Sequence, residues 1–546
     1  MNFLDTTAHI IQRRMREHRV TGASVALVSG GETVLCRGFG FADAGRKVLA
    51  TGDTIFRIGS ITKVFTASAI MQLSEQGNVD IDKPVAGYLP EFSVKSRFSL
   101  SSPITVRDLL CHHAGLPCDN LQGYFTREVT AFHSVIDFLP QSYLVCPPRT
   151  MFYYSNLGYE LLGVIISRVT GMPYHEYMEN VFLKNVGMVH SAILLSDERM
   201  PALAKPYRKG KEQVEEISKC IPEGGLHSTA RDMAVFMNAM LKSGNGIFLN
   251  KDTVNKMLVP QYPDNFMDMD FKNGLGWFIG KPGLDHAGTV IWHDGGTPHF
   301  FSLTVLVPER KTGITLLTNS TTGAIMNHRA AVEILQAVLH EQHGIAVPVD
   351  DQKNECQLTD EIRQKVTGRF FSLTGLISVR PVGKRLVARM PSGTFLLAPC
   401  KDGWFSLRFL IGGIISLKLK ALSFIRAGIL EHNGEKIFAF EQLGIKAPLG
   451  REYRRPRTSD AWKKRAGTYR CANEKKPRLR AFTLKETIDG MMIEILTDKM
   501  GRLKMYLDIV NDGEAVTLGY GRYAGETIVA TEKAIHLFGL SFERKN

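Results

Sequence analysis

Two regimes of hydrophobic patterning divide the chain. Up to about residue 345, helical and strand periods alternate. Val64, Ala67, Ile70, Met71 and Leu73 keep the spacing of one helix face, and apolar positions from Leu157 to Val169 and from Ala324 to His343 predict two more helices. Residues 1–20 predict an amphipathic first helix, and Phe300–Val307 predicts a strand. From about residue 360 the pattern becomes short strands between Gly, Asn and Asp punctuation. Val379–Leu397, Trp404–Leu422, Ile437–Phe440, Met491–Leu496, Arg502–Val510 and Ala515–Tyr520 all read this way. Val366–Phe371 and Arg465–Arg470 look like matching openings of two units of about 90 residues, which predicts a pair of small antiparallel barrels. The apolar run Arg408–Leu417 is too short to span a membrane, is followed by Lys418, and reads as a buried hairpin.

The helix pattern that begins near residue 62 carries the first candidate chemistry. Ser60-Ile61-Thr62-Lys63 puts a hydroxyl and an amine three residues apart, on one face of a helix's first turn. A helix N-terminus favours developing negative charge, and a desolvated Lys63 can give up its proton and accept one from Ser60. A second segment, Tyr154-Ser155-Asn156, stands just before the next helix, where Tyr154 and Asn156 can point the same way. A phenol beside an ammonium is expected to have its pKa lowered, which makes Tyr154 a second candidate for the proton shuttle. Tyr153 reads better as an aromatic packing residue. The third segment, Trp292-His293-Asp294-Gly295-Gly296, reads as a sheet-edge strand whose glycines let a substrate approach the backbone and whose free N–H can serve an oxyanion.

In this order, Ser-x-x-Lys, Tyr-x-Asn and His-x-Gly resemble the serine β-lactamase and penicillin-recognising hydrolase family, in particular its class C-like branch. Gly31–Asp43, Ile104–Pro117 and Pro222–Met233 look like further recurring segments of that family, so the resemblance covers about residues 1–345. It implies an α+β catalytic domain, with an antiparallel sheet flanked by helices plus a helical subdomain. It also implies Ser60 as the acylated nucleophile and Lys63 and Tyr154 as the joint proton-transfer pair. Asn156, His293 and Gly295 would contact substrate, and the N–H groups of Ser60 and Gly296 would form the oxyanion hole. No cofactor and no metal is implied.

Two features depart from the pattern. His293 stands where penicillin-binding enzymes carry a permanent lysine charge, and an imidazole is largely neutral near pH 7, so it holds a carboxylate less firmly. His299 stands where glycine is common, and its bulk narrows the expected pocket. Asp294 is expected to point to the far face of the strand, toward a salt bridge.

The remaining composition sets limits. The chain has 546 residues, and its positive charge is uneven: residues 351–546 carry a net +14 and residues 1–350 a net −1. The densest basic stretch, Arg451–Arg457 with Lys463–Arg465, lacks interleaved aromatics and contains a proline, so it reads as a solvated linker, with no nucleic acid and no membrane as partner. Boundaries are expected at 1–345, 346–455 and 456–546. No signal peptide is visible, and eight scattered cysteines fit reduced thiols, which together predict a cytoplasmic protein. Cys111-His112-His113 with Cys118 matches no structural zinc spacing, and His112 reads as closing a turn through a hydrogen bond.

A catalytic domain of this family followed by two basic barrels resembles the D-aminopeptidase arrangement, in which the barrels are thought to shape access to the site. The reading is therefore a serine hydrolase acting on small peptides or amino-acid amides, with a carboxylesterase or a non-turnover penicillin-binding sensor as alternatives. A small-molecule or short-peptide substrate is the expected partner, and a homodimer is compatible with the chain.

Overall fold

The computed structural model describes residues 3–545, apart from 127, 217–218, 243–247, 282, 349–353, 414, 418, 420–421, 423–424, 443, 476 and 498–500. An eight-stranded antiparallel sheet organises the first part of the chain. Its order is Val48–Leu49, Glu32–Asp43, Gly22–Ser29, Thr312–Thr318, Phe301–Val307, Ile291–Gly296, Phe278–Ile279 and Lys272–Asn273. Side chains of successive strand residues go to opposite faces, so one strand feeds two cores. Val25 and Leu27 join the core under the helices Phe3–His18 and Gly323–His343. Ala26 and Val28 join the other, where Ala230–Leu241, Thr62–Glu75 and Asn156–Thr170 pack as a helical layer. The first helix supplies Ile10, Ile11 and Met15 to the first core, as the amphipathic pattern requires.

Two antiparallel barrels follow. In the first, the strands between Gly368 and Glu452 close through pairing of Gly393–Pro399 with Phe405–Ile411, and Ile415–Leu417 hangs on the outside as an added strand. In the second, eight strands from Gly467–Cys471 to Leu540–Arg544 close when those two pair. Each barrel is entered through a short helix, Asp360–Val366 or Asp460–Lys464, directly before its opening strand. The repeated opening legible in the sequence is this helix-to-strand entry.

Two expectations change here. The run Arg408–Leu417 is a hairpin but not a buried one: Ile411, Ile415 and Leu417 are exposed, because the hairpin projects beyond the strand partners that close the barrel. Ile414 and Lys418 lie outside the described residues. Of the basic stretch, Arg451 and Glu452 belong to the strand Ile445–Glu452, where Arg451 pairs with Glu435 at 2.8 Å, while Arg454, Arg455 and Arg457 are exposed. All eight cysteines are free thiols. No helix among the described residues is long and apolar enough to cross a membrane.

The second barrel is docked against the first part of the chain near residues 118–124 and 143–153. Glu526, buried, accepts hydrogen bonds from the Cys118 N–H at 2.7 Å and the Tyr153 hydroxyl at 3.0 Å. The Leu121 N–H donates to the Phe538 carbonyl at 2.7 Å, and Glu514 takes both Lys95 and the Tyr143 hydroxyl. Tyr153 is thus a packing residue that also ties the barrel down.

Candidate active site

Ser60 sits in a 3-10 turn, Gly59–Ile61, that runs directly into the helix Thr62–Glu75. It stands just outside the α-helix rather than in its first turn, because the backbone enters through Gly59 at φ +54°, a left-handed conformation that suits glycine. The close approach of the sheet edge demands glycine as well. A Cβ on Gly59 would lie 2.7 Å from the Gly296 nitrogen, and one on Gly295 would lie 1.9 Å from the Ile58 carbonyl oxygen. The neighbouring outer strand pairs with Ile291–Gly296 only at Ile291 and Trp292, which leaves residues 293–296 to lie as a free edge along the Ser60 turn. Gly295→Ala is therefore expected to push the strand off the turn. Stability should fall by about 1–3 kcal/mol in thermal unfolding, and any reaction that depends on the placement of Ser60 against the Gly296 backbone should slow by about tenfold or more.

Lys63 is fully buried. Its ammonium donates to Asn156 Oδ1 at 2.7 Å and to the Glu223 carbonyl at 2.8 Å, and it lies 4.7 Å from the Tyr154 ring centroid. Burial pushes its pKa down to about 8, against the opposing pull of Glu223. Glu223 is itself buried and faces Glu160, a second buried carboxyl. Burial raises both, Glu223 to about 7, and the Glu223 charge raises Glu160 further. Two carboxyls in one dry site do not both ionise, so the pair retains a proton at neutral pH.

Tyr154 contacts Ser60 through its hydroxyl. Its ring stacks on His112 at 4.5 Å, and His112 Nδ1 accepts the Ser155 N–H at 3.2 Å. His112 therefore orients the Tyr154–Asn156 segment across the chain, and does not merely close its own turn. The expectation that a nearby ammonium lowers the Tyr154 pKa is overturned. Burial dominates and raises the phenol above its ordinary value, with the Ser60 hydrogen bond opposing it. At neutral pH the phenol is a proton donor, and Lys63 is the group with a pKa in reach of ordinary conditions.

Asn156 extends the chain of contacts. Its Nδ2 donates to Asp119 Oδ1 at 2.5 Å, and Asp119 Oδ2 takes the Arg522 guanidinium at 2.8 Å. Arg522 also donates to Cys118 Sγ at 2.9 Å and lies 5.5 Å from the Tyr154 ring centroid. It comes from the loop 518–526 of the second barrel, so one continuous polar chain runs Lys63, Asn156, Asp119, Arg522 across the domain boundary. Neither Asp119 nor Arg522 stood out in the sequence. Asp119 is one acid in a loop, and Arg522 lies more than 400 positions away. The arginine and its bracketing glycines, Gly521 and Gly525, both at positive φ, were the signal available.

Ser60, Asn156 and Gly296 open together onto a cleft of about 650 Å³. Thr297 and Pro298 continue its wall, and Arg478 and Arg522 bring the second barrel into it. His293 is placed behind that wall. It is buried, stacked on Phe278 at 4.7 Å, with Nδ1 on the Asp294 carbonyl, and burial pushes it down to about 4, so it is neutral. Gly295 is buried with it. Asp294 reaches the far side, pairing with His328 at 3.0 Å, as the strand alternation predicts. His299 pairs with Glu215 at 3.0 Å beside the cleft. Among the described residues no group of three or more His, Cys, Asp or Glu is arranged to hold a metal ion.

This arrangement puts a hydroxyl, a lysine of lowered basicity, a protonated phenol and a backbone amide around one open point, the requirements of acyl transfer. Residues 7–339 match the β-lactamase family. The chain belongs to that family. Protein flp of Staphylococcus aureus (strain N315), a curated relative, is 28% identical over 317 residues, covering 57% of this chain and 62% of the relative. The chain thus spans less than two thirds of the length of these curated relatives. Among solved structures, the octameric penicillin-binding protein homologue from Pyrococcus abyssi superposes with a TM-score of 0.57 at 24% identity, covering 82% of this chain and 99% of that one. The β-lactamase/D-alanine carboxypeptidase from Yersinia pestis, complexed with citrate, gives 0.51 at 22% identity, over 60% and 98% of the two chains. Both share the fold of this β-lactamase-family chain.

Proposed function

We propose that the protein is a serine hydrolase that cleaves small peptides or amino-acid amides of the D-aminopeptidase type through an acyl-enzyme on Ser60. The observation that carries the reading is the convergence of Lys63, Tyr154, Asn156 and the Gly296 backbone on Ser60 at the floor of an open cleft. Neutral Lys63 takes the Ser60 proton as the oxygen attacks the substrate carbonyl. The Ser60 and Gly296 N–H groups hold the oxyanion, and Tyr154 donates its proton to the departing nitrogen and takes one back from the Lys63 ammonium, which returns Lys63 to its neutral form. Water then enters and the acyl group leaves by the reverse route. Family membership supports a serine nucleophile, and the two barrels behind the catalytic part support the D-aminopeptidase arrangement.

The second reading, a carboxylesterase, is favoured by the buried, neutral His293, which leaves no fixed strand charge for a peptide carboxylate at that position. A panel of D- and L-amino-acid amides, short peptides and p-nitrophenyl esters separates the two. Amide turnover dependent on Ser60 supports the peptidase. Ester turnover alone moves the assignment to an esterase, because alkoxide and phenoxide leaving groups need less proton donation than an amine.

A further inference from the structure

The cleft above Ser60 holds a cation that the reaction does not use. Arg478 stands on the loop 472–480, between the first two strands of the second barrel, and lines the same cleft as Ser60 and Arg522. Its guanidinium lies 4.5 Å from the Tyr124 ring centroid, and among the described residues it makes no hydrogen bond and no ion pair. The cleft's acids already have their own partners. Glu215 faces Arg57 at 3.8 Å and His299 at 3.0 Å, Glu128 takes the Thr130 hydroxyl at 3.4 Å, and Glu223 faces Lys63 and Glu160. Asp119 is taken up by Arg522 and Asn156. Arg478 and Arg522 also share a field: the Asp119 charge, which pairs with Arg522, acts on Arg478 as well.

A guanidinium offers five N–H donors in a rigid fork, and a carboxylate fits that fork with two oxygens. The Arg478 guanidinium lies over the Tyr124 ring, and the residue is exposed to the cleft. The Arg522 side chain, 43% exposed, adds a second donor surface even while paired with Asp119. We propose that Arg478, with Arg522 as its neighbour, binds a free carboxylate on the substrate, so that the chain selects short peptides or acyl conjugates ending in a carboxylate over their amides and neutral esters. The inference rests on the reading of the Ser60 cleft as the substrate site, and narrows it. It also relocates charge recognition from the strand, where His293 is buried and neutral, to a barrel loop that the catalytic motifs do not include.

The test compares mono-p-nitrophenyl glutarate with its methyl-capped counterpart. The wild type is expected to favour the free acid by about tenfold or more in kcat/KM, the range of a charge-assisted hydrogen-bonded pair. Arg478→Ala should reduce that ratio by about tenfold, Arg478→Lys should restore part of it, and Arg478→Glu should invert it. Because Arg478 is on an exposed loop, these variants are expected to fold. A readout independent of turnover is calorimetric binding of glutarate monoanilide and its methyl ester to the Ser60→Ala protein. A carboxylate preference that Arg478→Ala removes sustains the subsite even where neither ester turns over, a result that would sink the hydrolase reading alone. Equal binding of the two ligands, or a preference that Arg478→Ala leaves intact, overturns the proposal.

Discussion

Ser60→Ala is expected to abolish covalent labelling and to lower turnover of any substrate by about 10⁴-fold or more, the scale seen when a nucleophile that acts as one unit with its base is removed. The fold should survive, because Ser60 is half-buried and its backbone rather than its side chain is held by the Gly59 entry and the strand edge. An unchanged thermal unfolding temperature with lost activity is the result to look for. Comparable turnover in the variant would mean that another group carries the reaction. Residual activity should come from the oxyanion site and binding alone, which persist without the hydroxyl.

Lys63→Met is the second large effect, with acylation slowed by about 10³-fold, within the range of a positioned general base. The wild-type acylation rate should depend on the protonation of Lys63, whose conjugate acid is held near 8 by burial. The sign follows directly. Below that value most Lys63 is charged and cannot accept the Ser60 proton, so the rate rises about tenfold per pH unit and levels off above about 8. Glu223 raises the Lys63 pKa by its negative charge, so Glu223→Gln should move the rising limb to lower pH. A limb that stays in place in the variant would detach the carboxyl pair from the lysine. Stopped-flow acylation by a p-nitrophenyl ester across pH 5 to 10 reads both effects.

The distance between what the sequence shows and what it hides has a physical basis. Ser60 and Lys63 are legible because their chemistry needs a fixed spacing on one helix, and Tyr154 and Asn156 because the loop before a helix sets them two residues apart. Gly295 and Gly296 are legible as glycines, although the reason for them, backbone contact with Ile58 and Gly59, appears only in three dimensions. Burial is the quantity the pattern cannot deliver. It reverses the expected pKa shift of Tyr154, places His293 behind the cleft wall, and leaves Ile411, Ile415 and Leu417 exposed. Asp119, Arg478, Arg522 and the Glu160–Glu223 pair belong to the site through contacts between distant segments, and no local spacing announces such contacts. The barrels themselves were legible as alternating strands with a repeated opening, whereas the loops that carry Arg478 and Arg522 into the cleft were not.

The most direct test of the central claim is intact-protein mass and peptide mapping after incubation with a fluorophosphonate, comparing wild type with Ser60→Ala. A single adduct on the peptide containing Ser60, formed faster as pH rises toward 8 and absent from the variant, is the predicted result. A folded wild-type protein that takes up no adduct, or takes one up at another residue, would contradict the account of Ser60 as the acylated nucleophile.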